Sequence, residues 1–303
     1  MSSPDTSPPD NGHFAHTGGR CLVCEGTGLA AAQGYPGLLA CPACGFLTAD
    51  LKLSPAELRR LYGNDYFHGD EYLDYVREED SLRRNFRGRL VDIRRFLPET
   101  HDKNLFEIGC AHGFFLDEAR PHFASVAGID ISDAAVAHAG NVVDVNVVAG
   151  DYLQHDQPHG VDVVCLWDVI EHLARPDLVV AKAARDLRPG GLLCVTTGDV
   201  GSLNARIRKG RWRLVHPPTH LHYFSVATLS RLLARHGLET VRVRHPGVSR
   251  SLRMMVFGVL ALGMGRPDLY QKLAGLPIPD MHIRINLFDI MFVIARKPYT
   301  SGH

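Results

Sequence analysis

From Asn104 onward the chain alternates short apolar runs with amphipathic stretches, and few folds accommodate that order. The runs are Leu105–Ile108, Ser125–Ile129, Val145–Val148, Val161–Leu166 and Leu192–Thr196. Helical stretches lie between most of them, at Phe114–Arg120, Asp133–Ala139 and Pro176–Leu187. Strands spaced this way, with helices between, indicate a parallel sheet, because each crossover is too long for a hairpin. A last pair, Glu239–Val243 and Leu287–Ala295, is expected to complete it. The expected class is therefore α/β, a seven-stranded, mostly parallel, doubly wound sheet. With 303 residues and 45% apolar content the chain has material for such a core.

The sheet domain is expected over residues 101–298, with helical substrate-side insertions at about 199–225 and 245–285. Residues 1–19 are rich in Ser, Pro, Asp and Gly and lack an apolar signal region, so they read as a disordered tail. Residues 51–100 read as a helical cap. Ser54-Pro55-Ala56-Glu57 places a cap, a first-turn proline and an acid in the order a helix start prefers. A tyrosine-rich loop, Tyr62–Tyr75, follows. A second helix is expected from about Glu78 to Leu97, with Leu82, Phe86, Leu90, Ile93 and Leu97 on one face.

Residues 20–50 carry four of the seven cysteines. Cys21-x-x-Cys24 and Cys41-x-x-Cys44, sixteen residues apart, have the spacing of a four-thiolate zinc ribbon. Four thiolates complete a tetrahedral shell, so the expected ion is a structural Zn2+. A redox role would need a thioredoxin-like context that is not present. Covering a substrate cleft and pairing two chains as a homodimer are the roles open to such a module. Cys110, Cys165 and Cys194 sit in apolar segments and read as small buried residues. An odd cysteine count without a signal peptide points to a cytoplasmic protein. No membrane span is expected, since Met254–Gly265 is roughly half the length one needs. The 33 acidic and 33 basic residues balance, which argues against a general nucleic-acid binder.

The segment Glu107-Ile108-Gly109-Cys110-Ala111-His112-Gly113 passes from strand to turn to helix. Its glycines let a backbone approach a ligand with no Cβ in the way. On its own this is as consistent with a structural turn. Asp130, roughly twenty residues on, ends the second strand where a ribose diol is gripped in this architecture. Asp151 ends the next. The loop lacks the G-x-G-x-x-G order that a pyrophosphate requires, so a nucleoside without phosphates fits better. His112 is poised between solvent and cofactor contact.

Taken together, Glu107-x-Gly109-x-x-x-Gly113, Gly128-Ile129-Asp130-Ile131-Ser132, Gly150-Asp151-Tyr152, Asp162–Leu173 and Leu187-Arg188-Pro189-Gly190-Gly191 resemble the class I S-adenosylmethionine-dependent methyltransferases. The match spans roughly Leu105–Val195 and implies a Rossmann-like fold with S-adenosylmethionine as cofactor. It implies that the Gly109 loop, with Cys110 and Gly113, holds the methionine end and that Glu107 lies near the amino group. It further implies that Asp130 binds the ribose hydroxyls, that Asp151 meets the adenine amino group, that Ile131 and Tyr152 beside them belong to the cofactor site, and that Trp167 and Asp168 line the cleft floor. Glu107 stands where Asp is commoner and Ala111 replaces a frequent glycine, which implies a slightly reshaped loop.

Methyl transfer is an in-line displacement that needs alignment, exclusion of water and sometimes a base. The first insertion gathers Arg206, Arg208, Lys209, Arg211 and Arg213 with Trp212 and His216, His220 and His222. Such a cluster suits a phosphorylated or nucleotide-linked small-molecule acceptor, and Arg211, Trp212, His222 and Tyr223 are its candidate substrate residues. A solvated basic helix accounts nearly as well for Arg206–Arg213. His220, His216 and His172 are candidate bases, because imidazole titrates in the useful range. His216-x-x-x-His220-x-His222 can also be read as a metal set, ranked lower for want of a nearby acid. His220-Leu221-His222-Tyr223-Phe224-Ser225 resembles a signature of methyltransferases from bacterial cell-surface sugar and natural-product pathways. That resemblance implies O-methylation of a sugar, nucleotide-sugar or related metabolite. Tyr66, Tyr72 and Tyr75 are placed to close over the sulfonium or simply to pack. An RNA methyltransferase guided by the ribbon and a non-catalytic binder are the alternatives. Neutral charge and the lack of an Asn-Pro-Pro-Tyr-like motif weigh against the first, and the intact cofactor acids against the second.

Overall fold

The computed structural model describes residues 19–51, 78–156, 160–257 and 281–299. The N-terminal tail up to residue 18, the Ser54–Glu57 helix start, the tyrosine loop with Tyr66, Tyr72 and Tyr75, and most of Met254–Gly265 lie outside those residues.

The N-terminal module contains three short strands, β1 (Ala30–Ala31), β2 (Leu38–Ala40) and β3 (Leu47–Ala49), paired antiparallel in that order. Its two cysteine turns have the same backbone. Glu25 N–H donates to Cys21 O and Gly45 N–H to Cys41 O, with left-handed φ angles of +61° and +76° at the two donors. Helix α1 (Glu79–Phe96) follows the expected periodicity, with Phe86, Leu90 and Ile93 buried.

The central sheet holds β4 (Asn104–Ile108), β5 (Ser125–Asp130), β6 (Asn146–Ala149), β7 (Val161–Trp167) and β8 (Leu187–Gly198), all parallel. With β10 (Glu239–Arg244) and β13 (Ile290–Arg296) the spatial order is β10-β13-β8-β7-β4-β5-β6. β13 is antiparallel to both its neighbours. Every residue of the central strand β7 is buried. Its side chains divide by pleat: Val163, Cys165 and Trp167 join one core, Val164 and Leu166 the other. α1, α2 (Phe114–Ala119) and α3 (Asp133–His138) cover the first face; α4 (Pro176–Asp186) and α6 (Val226–Arg235) cover the second.

Three features depart from expectation. β8 starts at Leu187, directly after α4, and its register against β7 shifts between Val161 and Val163. The Leu187–Gly191 motif is therefore a bulge, and Gly191 is needed there because a Cβ would meet Arg188 O and Asp162 O at 2.9 and 3.0 Å. The first insertion contains one short helix, α5 (Leu203–Arg208), and then a strand, β9 (His222–Tyr223), which pairs with β3 of the cysteine module. The second insertion, expected to be helical, carries a short helix at Leu252–Phe257 and, in addition, an antiparallel strand pair, β11 (Val248–Ser251) and β12 (His282–Ile285). Among the described residues no helix is long and apolar enough to cross a membrane.

Candidate functional site

The loop after β4 owes its shape to glycine. Gly109 and Gly113 have φ of +72° and +77°, and a Cβ at either would lie within 2.7 Å of Val169 or Val145. Gly109 and Cys110 N–H both donate to Ile129 O, at 2.8 and 3.1 Å. Cys110 packs its side chain over Gly128, where a Cβ would come within 2.8 Å of it, and is buried. Its thiol is therefore packed inside the loop, and its carbonyl accepts from Gly113 N–H at 2.9 Å.

Asp130 ties this loop to the next strand end. One carboxylate oxygen accepts from Ala111 N–H at 2.8 Å, the other from Ser132 N–H at 2.9 Å. Burial raises its pKa, with the backbone donors opposing. Each oxygen keeps a further lone-pair direction for a ligand hydroxyl. Ile131 stands out from the strand end, 47% exposed. Asp151 is exposed and accepts from Leu153 N–H at 2.9 Å, capping a short 3-10 turn. Tyr152 is a correction. Its hydroxyl donates to Asp186 at 2.6 Å, Lys182 Nζ lies 4.2 Å over its ring, and its side chain is part of the core beneath the sheet.

Glu107 lies in β4, 2% exposed. Burial raises its pKa well above the carboxylate range, Asp130 adds to that, and Arg89 opposes it. Its Oε2 has no hydrogen-bond partner among the described residues. A buried carboxylate left in this state is costly, and a cationic group on a bound ligand would relieve the cost. The glycine cradle and the orphaned oxygen thus fit a ligand that brings an ammonium to the end of β4.

At the end of β7, Trp167 is wedged edge-on between Phe115 and Phe292, at 5.0 and 5.5 Å. Asp168 adopts a left-handed φ of +56° and its N–H donates to Thr196. Arg89, from α1, joins them: its guanidinium lies 4.8 Å over Trp167 and 3.0 Å from Asp168.

The histidines divide into two groups. His172 Nδ1 donates to Thr219 O at 2.8 Å and His220 Nδ1 to Leu214 O at 2.9 Å, which leaves each Nε2 as the basic nitrogen. Their rings are 4.6 Å apart, and His216 lies 3.9 Å from His220. The buried Glu171 carboxylate joins His172 and His220, with one ligand atom of each within 4.8 Å of the others. Burial pushes His220 down to about 4, so it is neutral at physiological pH, with its Nε2 unprotonated. This group can accept a proton or hold a cation. His222 is not part of it: it stacks on Phe46 at 5.6 Å, and its Nδ1 lies 3.1 Å from Thr48 Oγ1. The His216–His220–His222 metal reading is corrected accordingly.

The substrate residues expected in the first insertion are largely structural. Trp212 is 2% exposed and its Nε1 donates to Asp289 at 2.9 Å. Tyr223 is buried and its hydroxyl donates to His220 O. With His222 in β9, these side chains fasten the cysteine module to the sheet domain, where Gly210 N–H also donates to Gly34 O. Arg211 is exposed. Sequence reasoning missed Arg89 and Glu171. Arg89 sits three residues after Phe86, at the border of the apolar face, and Glu171 precedes a singled-out histidine; those positions are the only signals either carried.

In the cysteine module the Sγ atoms of Cys21 and Cys44 are 3.6 Å apart, as are those of Cys24 and Cys41. Four thiolates around a tetrahedral ion at about 2.3 Å would be separated by about 3.8 Å. The donor set and spacing fit a metal.

A seven-stranded sheet with one reversed strand beside the edge, and a glycine loop after its first strand, defines the Rossmann-like class I methyltransferase architecture. The sequence profile of a family described as a methyltransferase domain matches residues 82–243. The chain belongs to that family. It is 30% identical over 116 residues to the ubiquinone biosynthesis O-methyltransferase of Nitrosomonas europaea, covering 36% of this chain and 49% of that protein. It is 29% identical over 167 residues to the protein of the same name from Thiobacillus denitrificans, covering 51% and 71%. The chain thus spans about half the length of the first of these relatives. Among solved structures, an S-adenosylmethionine dependent methyltransferase from Mesorhizobium loti superposes with a TM-score of 0.45 at 20% identity, over 68% of this chain and 95% of that one.

Proposed function

We propose that the chain is an S-adenosylmethionine-dependent methyltransferase acting on an oxygen of a small molecule, and that its ribbon holds a structural zinc ion. The observation that carries the reading is Glu107: a buried carboxylate oxygen without a partner, directly before the glycine loop. Bound S-adenosylmethionine supplies an electrophilic methyl group. Glu107 would hold its amino group, Asp130 its ribose hydroxyls, Ile131 and Asp151 the adenine side, and Gly109, Cys110 and Gly113 would present backbone.

The acceptor would lie over Trp167 and Asp168. His220, neutral and held in one tautomer by Leu214 O, is the proposed base for its hydroxyl, with His172 and Glu171 beside it and His216 behind. Oxygen as the acceptor atom is supported by relatives named as O-methyltransferases. The acceptor class we propose is a sugar, nucleotide-sugar or related metabolite. The signature His220–Ser225 speaks for it only indirectly, since in this protein His222 and Tyr223 serve to dock the ribbon. Free thiols at Cys110, Cys165 and Cys194 are in keeping with a reducing, cytoplasmic setting.

The test is label transfer from methyl-labelled S-adenosylmethionine into a fractionated metabolite extract. Label is expected in a small-molecule fraction, and His220→Gln should lower the rate roughly a hundredfold with cofactor affinity retained. Label found only in RNA, or a rate unaffected by His220→Gln, would contradict the proposal.

A further inference from the structure

A cavity of about 520 Å³ opens beside α1, between that helix and the β11–β12 pair. Five arginines line it: Arg84, Arg89 and Arg95 from α1, Arg244 from the end of β10, and Arg284 from β12. The acid among its described lining residues is Asp92, and it is occupied by Arg244 and, at 3.3 Å, by Arg95. Arg89 is held by Asp168 at 3.0 Å. Arg84 and Arg284, on opposite walls, form no ion pair among the described residues.

Arginines on an ordinary solvated helix face spread outward. Here they converge on a hollow from two elements nearly two hundred residues apart in sequence, Arg84 on one and Arg284 on the other. Gathering like charges around a concavity is unfavourable in itself and focuses a positive potential inside it. A planar guanidinium fork matches a phosphoryl or carboxylate group and stays charged at every physiological pH. The cavity also meets the proposed cleft. Its lining residues Arg89 and Phe292 are the two that touch Trp167, and Arg89 reaches Asp168.

We infer that this cavity binds an anionic group, phosphoryl or carboxylate, carried by the methyl acceptor. The inference rests on the methyltransferase reading for what the acceptor is, but not for the anion site itself. The basic residues at Arg206–Arg213 are thereby relieved of that role, which passes to α1, β10 and β12.

The experiment titrates the full chain and the double variant Arg84→Gln/Arg284→Gln by calorimetry with inorganic pyrophosphate and with succinate, and both proteins with S-adenosylhomocysteine. Wild type is expected to bind one anion per chain with Kd near or below about 1 mM, and the variant roughly tenfold more weakly, with equal S-adenosylhomocysteine affinity. Label transfer into the metabolite extract should fall in the variant. Tighter binding of pyrophosphate than of succinate at one pH near 7.5 assigns a phosphoryl group; the reverse order assigns a carboxylate. Anion affinity equal in both proteins, no saturable binding by wild type, or label transfer undiminished in the variant overturns the inference. Loss of S-adenosylhomocysteine binding by wild type, with anion binding as expected, would instead remove the methyltransferase reading and leave the anion site standing.

Discussion

Glu107 shows how one residue can be a burden to the empty protein and an asset to the loaded one. Its carboxylate is buried, and its folded pKa lies well above the ordinary value because burial disfavours the charge. Between the unfolded value of about 4.3 and the raised folded value, the folded state binds the proton and the unfolded state does not. Stability of the ligand-free protein attributable to this group therefore falls as pH rises through that window. Glu107→Gln removes the ionisation while keeping the shape. It is expected to raise the melting temperature of the free protein at neutral pH and to flatten that part of its pH dependence. The same change should weaken S-adenosylmethionine by roughly tenfold or more, because an ammonium loses its counter-charge. Thermal melts across pH and calorimetric titration measure both. A variant less stable than wild type with unchanged affinity would show that Glu107 is an ordinary core residue.

Among the elements, those with an apolar run or a helical period of their own are legible in the sequence, down to the six-residue α2 and α3, and the two-residue β9 is not. α1 spans Glu79–Phe96 against an expected 78–97, and β4, β5 and β7 end within a residue of the apolar runs that announced them. A run buried on both sides is written locally in its own residues. β9 has two residues, both polar or amphipathic, and its partner β3 lies some 170 positions earlier. Nothing local encodes such a pairing, so in the sequence alone His222 and Tyr223 read as substrate residues. The arginine cavity was illegible for the same reason, being assembled from α1, β10 and β12. The ribbon's attachment through β9 has a pH signature. Burial against Phe46 lowers His222 to about 4. Its contribution is then fully present above about pH 6.5 and is lost as pH falls toward 4, worth roughly 3 kcal/mol at most. His222→Gln should remove much of the acid sensitivity in that window, as read by urea unfolding at stepped pH; an unchanged acid slope would place the titration elsewhere.

At the scale of the whole molecule, the ribbon and the sheet are one folding unit. Cys21, Leu22, Val23 and Phe46 belong to the same buried core as Leu229, Leu233 and the β7–β8 strands. If the four cysteines hold zinc as proposed, a strong chelator should therefore lower the stability of the entire chain, in a single cooperative transition and by several kcal/mol. Two separate transitions would mean that the ribbon is merely tethered. The larger organisation follows the usual rule for an open parallel sheet, with ligands at the carboxyl ends of the strands. There the loop after β4, Asp130 after β5 and Asp168 after β7 lie in line. The glycine loop alone was compatible with a plain turn; the orphaned Glu107 oxygen and the doubly bonded Asp130 carboxylate are what distinguish it. The most direct measurement is calorimetric titration of S-adenosylhomocysteine into wild type and Asp130→Ala. One site per chain with a Kd of about 1–100 μM is predicted, weakened at least roughly tenfold by the substitution. No binding to wild type, or equal binding to both, would contradict the assignment of this loop as the methyl-donor site.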